Sequence, residues 1–204
     1  MKDKPLDNIY AYAIDDRLYI NLTNRCSNAC SFCIRETTDG LGNKGSLWLV
    51  SEPTGEEIIK AVGDPSGYSE IVFCGFGEPL ARLNTLVQVA RALKKYDISV
   101  RINTNGQANL IHGRNIVPDL AGLIDRISIS LNAENAEKYQ EICNSQYGLK
   151  AYEAILDFTK LCVGAIPEVV LSVVEREDID LEACREIAEK LGARLRVRRW
   201  NPSL

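Results

Sequence analysis

Short β-rich apolar runs alternate with amphipathic helical patterns along the 204 residues of the chain. This alternation is typical of parallel βαβ units. The pattern predicts six strands, at residues 18–23, 70–74, 98–103, 126–131, 168–174 and 194–200. It predicts helices between them at residues 55–62, 85–96, 116–123, 136–143, 150–162 and 181–191. The chain is therefore expected to fold as an α/β protein with a parallel sheet.

Two further segments do not belong to the strand–helix repeat. Residues 9–14 alternate in polarity and lead through Asp15 and Asp16 into the first strand, which predicts an N-terminal hairpin. Residues 37–53 form the longest irregular stretch, rich in glycine and carrying Trp48, which indicates a lid or binding loop. No linker or repeat divides the chain, so one domain covering residues 1–204 is expected.

Composition and charge narrow the classes of function. The chain has no apolar run long enough to cross a bilayer, and residues 1–6 lack the apolar core of a signal peptide. Seven unevenly spaced cysteines favour reduced thiols in the cytoplasm over a disulfide framework. The net charge of -4 argues against general nucleic-acid binding, although a local basic patch remains open.

Polar residues cluster where the predicted strands end. Parallel strands deliver side chains to their carboxyl ends, and ligands bind there. The second strand leads into Gly75-Phe76-Gly77-Glu78, where two glycines allow close approach to the backbone and Glu78 offers a carboxylate. Amide and hydroxyl side chains follow or end later strands, at Asn103, Asn105, Ser130, Asn132 and Ser172. This placement predicts a polar ligand that lies across several strand ends.

The first strand leads directly into a loop with Cys26, Cys30 and Cys33. A [4Fe-4S] cluster is normally held by four cysteine thiolates, so three would leave one iron open to another ligand, as in a catalytic rather than a structural site. The alternative is a zinc site or a chance cluster of thiols. Zinc motifs usually need a fourth ligand nearby, and the one histidine, His112, is far along the chain.

The spacing Cys-x3-Cys-x2-Cys, with the aromatic Phe32 before the last cysteine, resembles the hallmark of the radical S-adenosylmethionine superfamily. The resemblance covers nearly the whole chain and implies an open (β/α)6 partial TIM barrel, here with an N-terminal β-hairpin extension and no auxiliary-cluster domain. Residues 18–35, residues 47–49 and the short length are also similar to the small members of this superfamily described as TatD-associated.

The resemblance also implies a cofactor site. Cys26, Cys30 and Cys33 would bind one [4Fe-4S] cluster, and the amino and carboxylate groups of S-adenosylmethionine would chelate the open iron. Residues 75–78 match the glycine–glutamate motif that receives the methionyl ammonium, with Phe76 where many members have glycine. The other positions implied to contact the cofactor are Phe32, Asn103 or Asn105, Ser130, Asn132, Ser172 and Asn201.

The activity implied is reductive cleavage of S-adenosylmethionine to a 5'-deoxyadenosyl radical, which abstracts hydrogen from an unidentified substrate. A reductant such as flavodoxin or ferredoxin would supply the electron. A glycyl-radical activating enzyme, which acts on a macromolecule, is one alternative within this class. An iron–sulfur protein that transfers electrons or senses redox state is the alternative outside it. The cofactor-binding positions favour an enzyme, since a sensor has no use for them.

Two groups of residues keep two interpretations each. Cys162 and Cys184 fit helix faces in the core. Cys143 fits the core or lies near the site, and Cys74 is either buried or a hydrogen donor beside the glycine–glutamate loop. The arginines of the last strand either protect a sheet edge from pairing or bind an anionic substrate or partner. They are Arg194, Arg196, Arg198 and Arg199.

Overall fold

The computed structural model describes residues 8–37, 40 and 45–199. In this part of the chain, seven strands form a sheet in chain order: β1 (Ala11–Ile14), β2 (Arg17–Ile20), β3 (Glu70–Phe73), β4 (Ser99–Thr104), β5 (Arg126–Ser130), β6 (Glu168–Val174) and β7 (Arg194–Arg198). β1 pairs antiparallel with β2, and all later neighbours pair in parallel. β7 ends the order without closing onto β1, so the predicted open barrel with an N-terminal hairpin is confirmed.

The helices lie between these strands: α1 (Ile34–Thr37), α2 (Gly55–Val62), α3 (Leu83–Leu93), α4 (Ala108–His112), α5 (Val117–Leu120), α6 (Ala136–Cys143), α7 (Lys150–Val163) and α8 (Leu181–Lys190). A 3-10 helix, Pro79–Arg82, precedes α3. The pattern did not predict α1, α4 or the 3-10 helix, which are too short to show helical periodicity. α5 is shorter than the predicted 116–123, because Ala121 leaves helical geometry and Gly122 takes a positive φ.

The hydrophobic core lies between the sheet and the helices. Alternate strand residues such as Phe73, Ile102, Ile129 and Leu171 are fully buried there against the apolar faces of α2, α3, α6, α7 and α8. The residues between them point to the opposite side of the sheet, because successive side chains of a strand alternate in direction. We call this opposite side the lumen face. It is polar over much of its area, unlike the branched apolar filling of a closed barrel.

Ion pairs join six strands at the amino-terminal end of the lumen face. Glu70 lies 3.4 Å from Arg17, 3.0 Å from Arg101 and 3.0 Å from Arg126. Glu168 lies 2.6 Å from both Arg126 and Arg194. We call these six residues, which come from β2, β3, β4, β5, β6 and β7, the ion-pair floor. They leave the other end of the lumen face, where the strands reach their carboxyl ends, for the candidate site.

Candidate cofactor site

The cysteine loop follows β2 and docks on the carboxyl end of α6. The backbone N–H of Ala29 donates to the Cys143 carbonyl at 3.0 Å, and that of Ser31 donates to the Ile142 carbonyl at 3.0 Å. The last carbonyls of a helix have no partner within the helix, so a loop that supplies donors is held firmly there. A hydrogen bond from the Gln146 N–H to the Ser27 carbonyl, at 2.9 Å, extends the contact beyond the helix.

A buried polar network fixes the same loop from the β4 side. Gln107, fully buried, donates through its amide nitrogen to Asn28 Oδ1 at 2.7 Å and to the Tyr139 hydroxyl at 2.9 Å. Its amide oxygen accepts from the Ser145 hydroxyl at 3.0 Å, and Asn28 donates to Tyr139 at 2.8 Å. Sequence reasoning missed Gln107, Tyr139 and Asn28, because a glutamine after a turn and a tyrosine on a helix have no distinctive pattern.

The glycine–glutamate loop supports the start of the cysteine loop. A Cβ atom on Gly77 would clash with the backbone carbonyls of Thr23 and Arg25, and one on Gly75 would clash with the Asn21 side chain. The Glu78 N–H donates to the Arg25 carbonyl at 2.7 Å. The close approach expected at these glycines is therefore made by the chain itself, and the contact of this loop with a ligand stays a prediction.

Glu78 is a buried carboxylate with three donors of its own chain. It accepts hydrogen bonds from the Thr104 hydroxyl at 2.7 Å, the Asn105 N–H at 2.7 Å and the Leu80 N–H at 3.0 Å. Burial raises the pKa of Glu78 to about 7, although these three donors oppose the rise. Glu78 thereby ties the end of β4 to the 3-10 helix, and its predicted contact with an ammonium group stays a prediction.

The three cysteines are half-buried at one side of this assembly. Nitrogen donors approach Cys26 Sγ, with the Asn28 N–H at 3.5 Å and the Asn105 amide nitrogen at 3.8 Å. Burial raises the pKa of Cys26 to about 11 and also raises that of Cys33. A hydrogen bond with the buried Cys143, together with burial, raises the pKa of Cys30. Cys143 therefore belongs to the site as well as to the core.

Two candidate contacts present buried acceptors without partners. Asn132 is buried with a φ of 59°, and its amide nitrogen lies 3.5 Å from Cys143 Sγ while its Oδ1 has no hydrogen-bond donor. Asn103 Oδ1, on the lumen face, is likewise buried without a donor. Such orphaned acceptors are rare in folded proteins. The backbone carbonyl of Ser172 accepts from the Asn132 N–H at 3.2 Å, which brings β6 to the same place.

The remaining predicted positions divide between the site and its surroundings. Phe32 packs against the main core with the Arg176 guanidinium 5.9 Å from its ring centre. Phe76 forms a second buried cluster with Tyr12 and Leu47, and its ring meets Trp48 edge to face at 5.2 Å. Ser130 is half-buried in register with Ser172. Asn201 lies outside the described residues, as do residues 38, 39 and 41–44 of the expected lid.

The described end of that expected lid is anchored rather than free. Asn24 donates to the Leu49 carbonyl at 2.7 Å and accepts from the Leu49 N–H at 3.0 Å. Glu52 pairs with Arg25 and Arg82, each at 2.7 Å, and also bonds the Thr23 hydroxyl. This segment therefore contacts the start of the cysteine loop.

The donor set suits an iron–sulfur cluster better than a single metal ion. Among the described residues, no three His, Cys, Asp or Glu side chains are spaced to hold one ion. A mononuclear zinc site needs its ligands on one centre, whereas the ligands of a [4Fe-4S] cube bind separate irons and lie farther apart. N–H groups directed at Cys26 Sγ are the kind of hydrogen bond that tunes such clusters.

Comparisons with known proteins agree on the family. The model of the radical SAM superfamily, whose members bind a 4Fe-4S cluster and S-adenosylmethionine, matches residues 20–191. A probable GTP 3',8-cyclase of Thermococcus kodakarensis is 29% identical over 88% of this chain and 55% of its own length. A probable GTP 3',8-cyclase of Methanocella arvoryzae is 32% identical over 80% of this chain and 50% of its own. The chain thus spans about half the length of these relatives.

A solved structure is also similar to this chain. The crystal structure of a radical SAM methyltransferase from Sphaerobacter thermophilus superposes with a TM-score of 0.46 at 17% identity, over 93% of this chain and 68% of that one. Within the described residues, each helix falls short of the length and apolar character needed to span a membrane. The narrower similarity to TatD-associated proteins stays a prediction.

Proposed function

Because the chain belongs to the radical SAM superfamily, we propose that Cys26, Cys30 and Cys33 hold one [4Fe-4S] cluster and that the chain is an enzyme that uses S-adenosylmethionine. When bound, the cluster and S-adenosylmethionine together supply one-electron cleavage of the sulfonium carbon–sulfur bond and thereby a radical that abstracts hydrogen from a substrate. The observation that supports this assignment best is the cysteine loop itself, held on two sides at the carboxyl ends of parallel strands with N–H donors at Cys26.

The chain's own residues prepare the site in two ways. The network around Gln107 and the α6 contacts hold the loop in one geometry, so that the three thiolates need little rearrangement to bind irons. Asn105 would support the cluster, since its amide donates to Ser27 and approaches Cys26. Asn132 Oδ1 and Asn103 Oδ1 are acceptors available to hydroxyl or ammonium groups of the cofactor.

The other cofactor contacts remain part of the proposal. Backbone carbonyls of residues 75–77 would receive the methionyl ammonium, since the Glu78 carboxylate already has three donors. Ser130, Ser172, Phe32 and Asn201 would complete the pocket. Superfamily enzymes generally need a reductant, and a flavodoxin or ferredoxin in the cytoplasm would serve this chain. The free state of all seven cysteines suits such a compartment.

Electron paramagnetic resonance of the anaerobically reconstituted, dithionite-reduced protein tests the proposal. We expect a [4Fe-4S]+ signal whose shape changes when S-adenosylmethionine is added, together with formation of 5'-deoxyadenosine. Cys30→Ala should lose both iron and signal. Cys162→Ala, which removes a buried thiol from α7 far from the loop, should retain them.

Two other outcomes would overturn the assignment. A signal indifferent to S-adenosylmethionine would favour an electron-transfer or sensor protein. Full iron content in Cys30→Ala would exclude the cysteine assignment, unless the double variant with Cys143→Ala loses the iron that the single variant keeps. That last result would show that Cys143 replaces its neighbour as a ligand.

A further inference from the structure

A cavity of about 580 Å³ opens on the lumen face, and arginines line most of it. Its volume is within the range of sites for small molecules and cofactors. The six arginine side chains come from β2, β4, β5 and β7, and Tyr19, Asn103 and Leu195 complete the lining. No Asp or Glu is among the described residues that line it. The six arginines are Arg17, Arg101, Arg126, Arg194, Arg196 and Arg198.

The positive charge of this cavity is only partly neutralised. Four of the arginines belong to the ion-pair floor, where Glu70 and Glu168 are the two carboxylates. Arg196 and Arg198 pair with no carboxylate in the described part of the chain, and they stand two residues apart on the same face of β7. Two guanidinium groups that lack counter-ions and repel each other form a site that an oxyanion would stabilise.

A buried donor in the cavity also lacks a partner. Arg101 is only 7% exposed, and its Nε has no hydrogen-bond acceptor although its Nη2 pairs with Glu70. A buried donor left without an acceptor destabilises the folded protein. An acceptor group inside the cavity would remove this cost, so the cavity has the character of a binding site rather than of incidental space.

The cavity extends toward the candidate cofactor site. Arg196 is in register with Ser172, which is in register with Ser130, and Asn103 lines the cavity itself. Burial lowers the pKa of Arg198, and the like charge of Arg196 lowers it further, although the residue keeps solvent contact. A molecule held by Arg196 would therefore lie beside Ser172 and Ser130, two of the predicted cofactor contacts.

Edge protection explains this arrangement only in part. β7 is an edge strand, and charges on it discourage pairing with another sheet. Such protection works with charges on either face, whereas Arg194, Arg196 and Arg198 all lie on the lumen face. The alternate positions hold Leu195, which also lines the cavity, and Val197.

We propose that this cavity binds the substrate of the radical reaction and that the substrate carries an oxyanion, a phosphate or carboxylate, held by Arg196 and Arg198 with Arg101 beneath. The identification of the bound molecule as a substrate rests on the proposed function. Anion binding itself does not depend on the cluster, so the two can fail separately.

Isothermal titration of the full chain with inorganic pyrophosphate and, separately, with citrate tests the proposal. We expect saturable one-to-one binding of at least one probe. Arg196→Gln and Arg198→Gln should each weaken it at least about tenfold, since each removes a charge-assisted pair. The control is Arg91→Gln, which removes an exposed arginine from α3 on the helix side of the sheet and should bind as the unmodified chain does.

The outcomes separate the sources of the anion. Tighter binding of pyrophosphate would identify a phosphate-bearing substrate, and tighter binding of citrate a carboxylate-bearing one. Failure of both probes to bind, or equal losses in Arg91→Gln, would overturn the proposal. A second titration uses the reconstituted protein saturated with S-adenosylmethionine. Retained affinity supports a separate substrate, whereas full competition would assign the arginines to the carboxylate of S-adenosylmethionine and overturn the substrate assignment.

Discussion

At the scale of single residues, Gln107 decides whether the cysteine loop keeps its geometry. Gln107→Leu preserves the approximate volume but removes the donor to Asn28 Oδ1 and the acceptor of the Ser145 hydroxyl, while Tyr139 keeps its bond from Asn28. We expect the free energy of unfolding to fall by about 3 kcal/mol, because each buried orphan group costs about 1–3 kcal/mol. Urea denaturation measures the change. Gln146→Leu, at an exposed position, should alter it little.

The charge of Glu78 gives the protein a pH-dependent stability. Its pKa of about 7 in the folded protein lies above the ordinary 4.5, so the folded state holds a proton that the unfolded state releases. The stabilising contribution of Glu78 to the free energy of unfolding is therefore complete below pH 4.5 and is lost as the pH rises through about 7. The upper limit of the loss is about 3 kcal/mol.

Urea denaturation of the cluster-free protein between pH 4.5 and 7.5 measures this effect. The difference in unfolding free energy between the unmodified chain and Glu78→Gln should change with pH in the stated direction. A difference that is constant across this range would contradict the raised pKa. The amide of the variant does not titrate. Because the two chains differ only at this residue, the pH-dependent contributions of all other groups cancel in the difference.

At the scale of structural elements, the contact between two loops depends on a missing side chain. Gly77→Ala would place a methyl group against the Thr23 and Arg25 carbonyls, and the backbone of the cysteine loop would have to move. We expect a loss of about 2 kcal/mol or more in stability and a fall in iron retained after reconstitution.

Gly67→Ala is the matched control for this prediction. No atom lies within 4 Å of a Cβ at Gly67, so iron content and stability should both stay unchanged. Unchanged iron content in Gly77→Ala would show that the two loops can separate without harm to the site.

The sequence predicts the elements well and their contacts poorly. Local periodicity and turn residues were sufficient for the hairpin, for β3 to β7 and for most helices, because these signals lie within about ten residues. The triplet of Cys26, Cys30 and Cys33 is equally local. Gln107 joins residues from two distant segments, and Cys143 meets Cys30 only because α6 docks on the loop. Such contacts exist only in the folded chain.

At the scale of the whole molecule, Glu70 joins strands from across the sheet. Glu70→Gln would leave Arg101 as a buried cation without a counter-ion and weaken the contacts to Arg17 and Arg126. We expect the free energy of unfolding to fall by about 3 kcal/mol, since loss of one partner of a buried ion pair is strongly destabilising. Thermal and urea denaturation both measure it.

Glu168→Gln provides the comparison. Its carboxylate is about one-third exposed and pairs with more accessible arginines, so its loss should cost clearly less. Equal costs for the two variants would contradict a special role for burial at Glu70. The sequence could not reveal this network, because its members come from six strands and only the register brings them together.

Beyond the ion-pair floor, the alternation of the strands assigns folding and recognition to different side chains. Residues such as Ile129 and Leu171 pack against the helices, while Asn103 and Arg196 line the cavity and lie outside the core clusters. Substitutions at cavity positions outside the ion-pair floor should therefore change which molecules bind without a large cost in stability. A fold built in this way can acquire a new specificity by a few point mutations, because the selection for binding and the selection for folding act on separate positions.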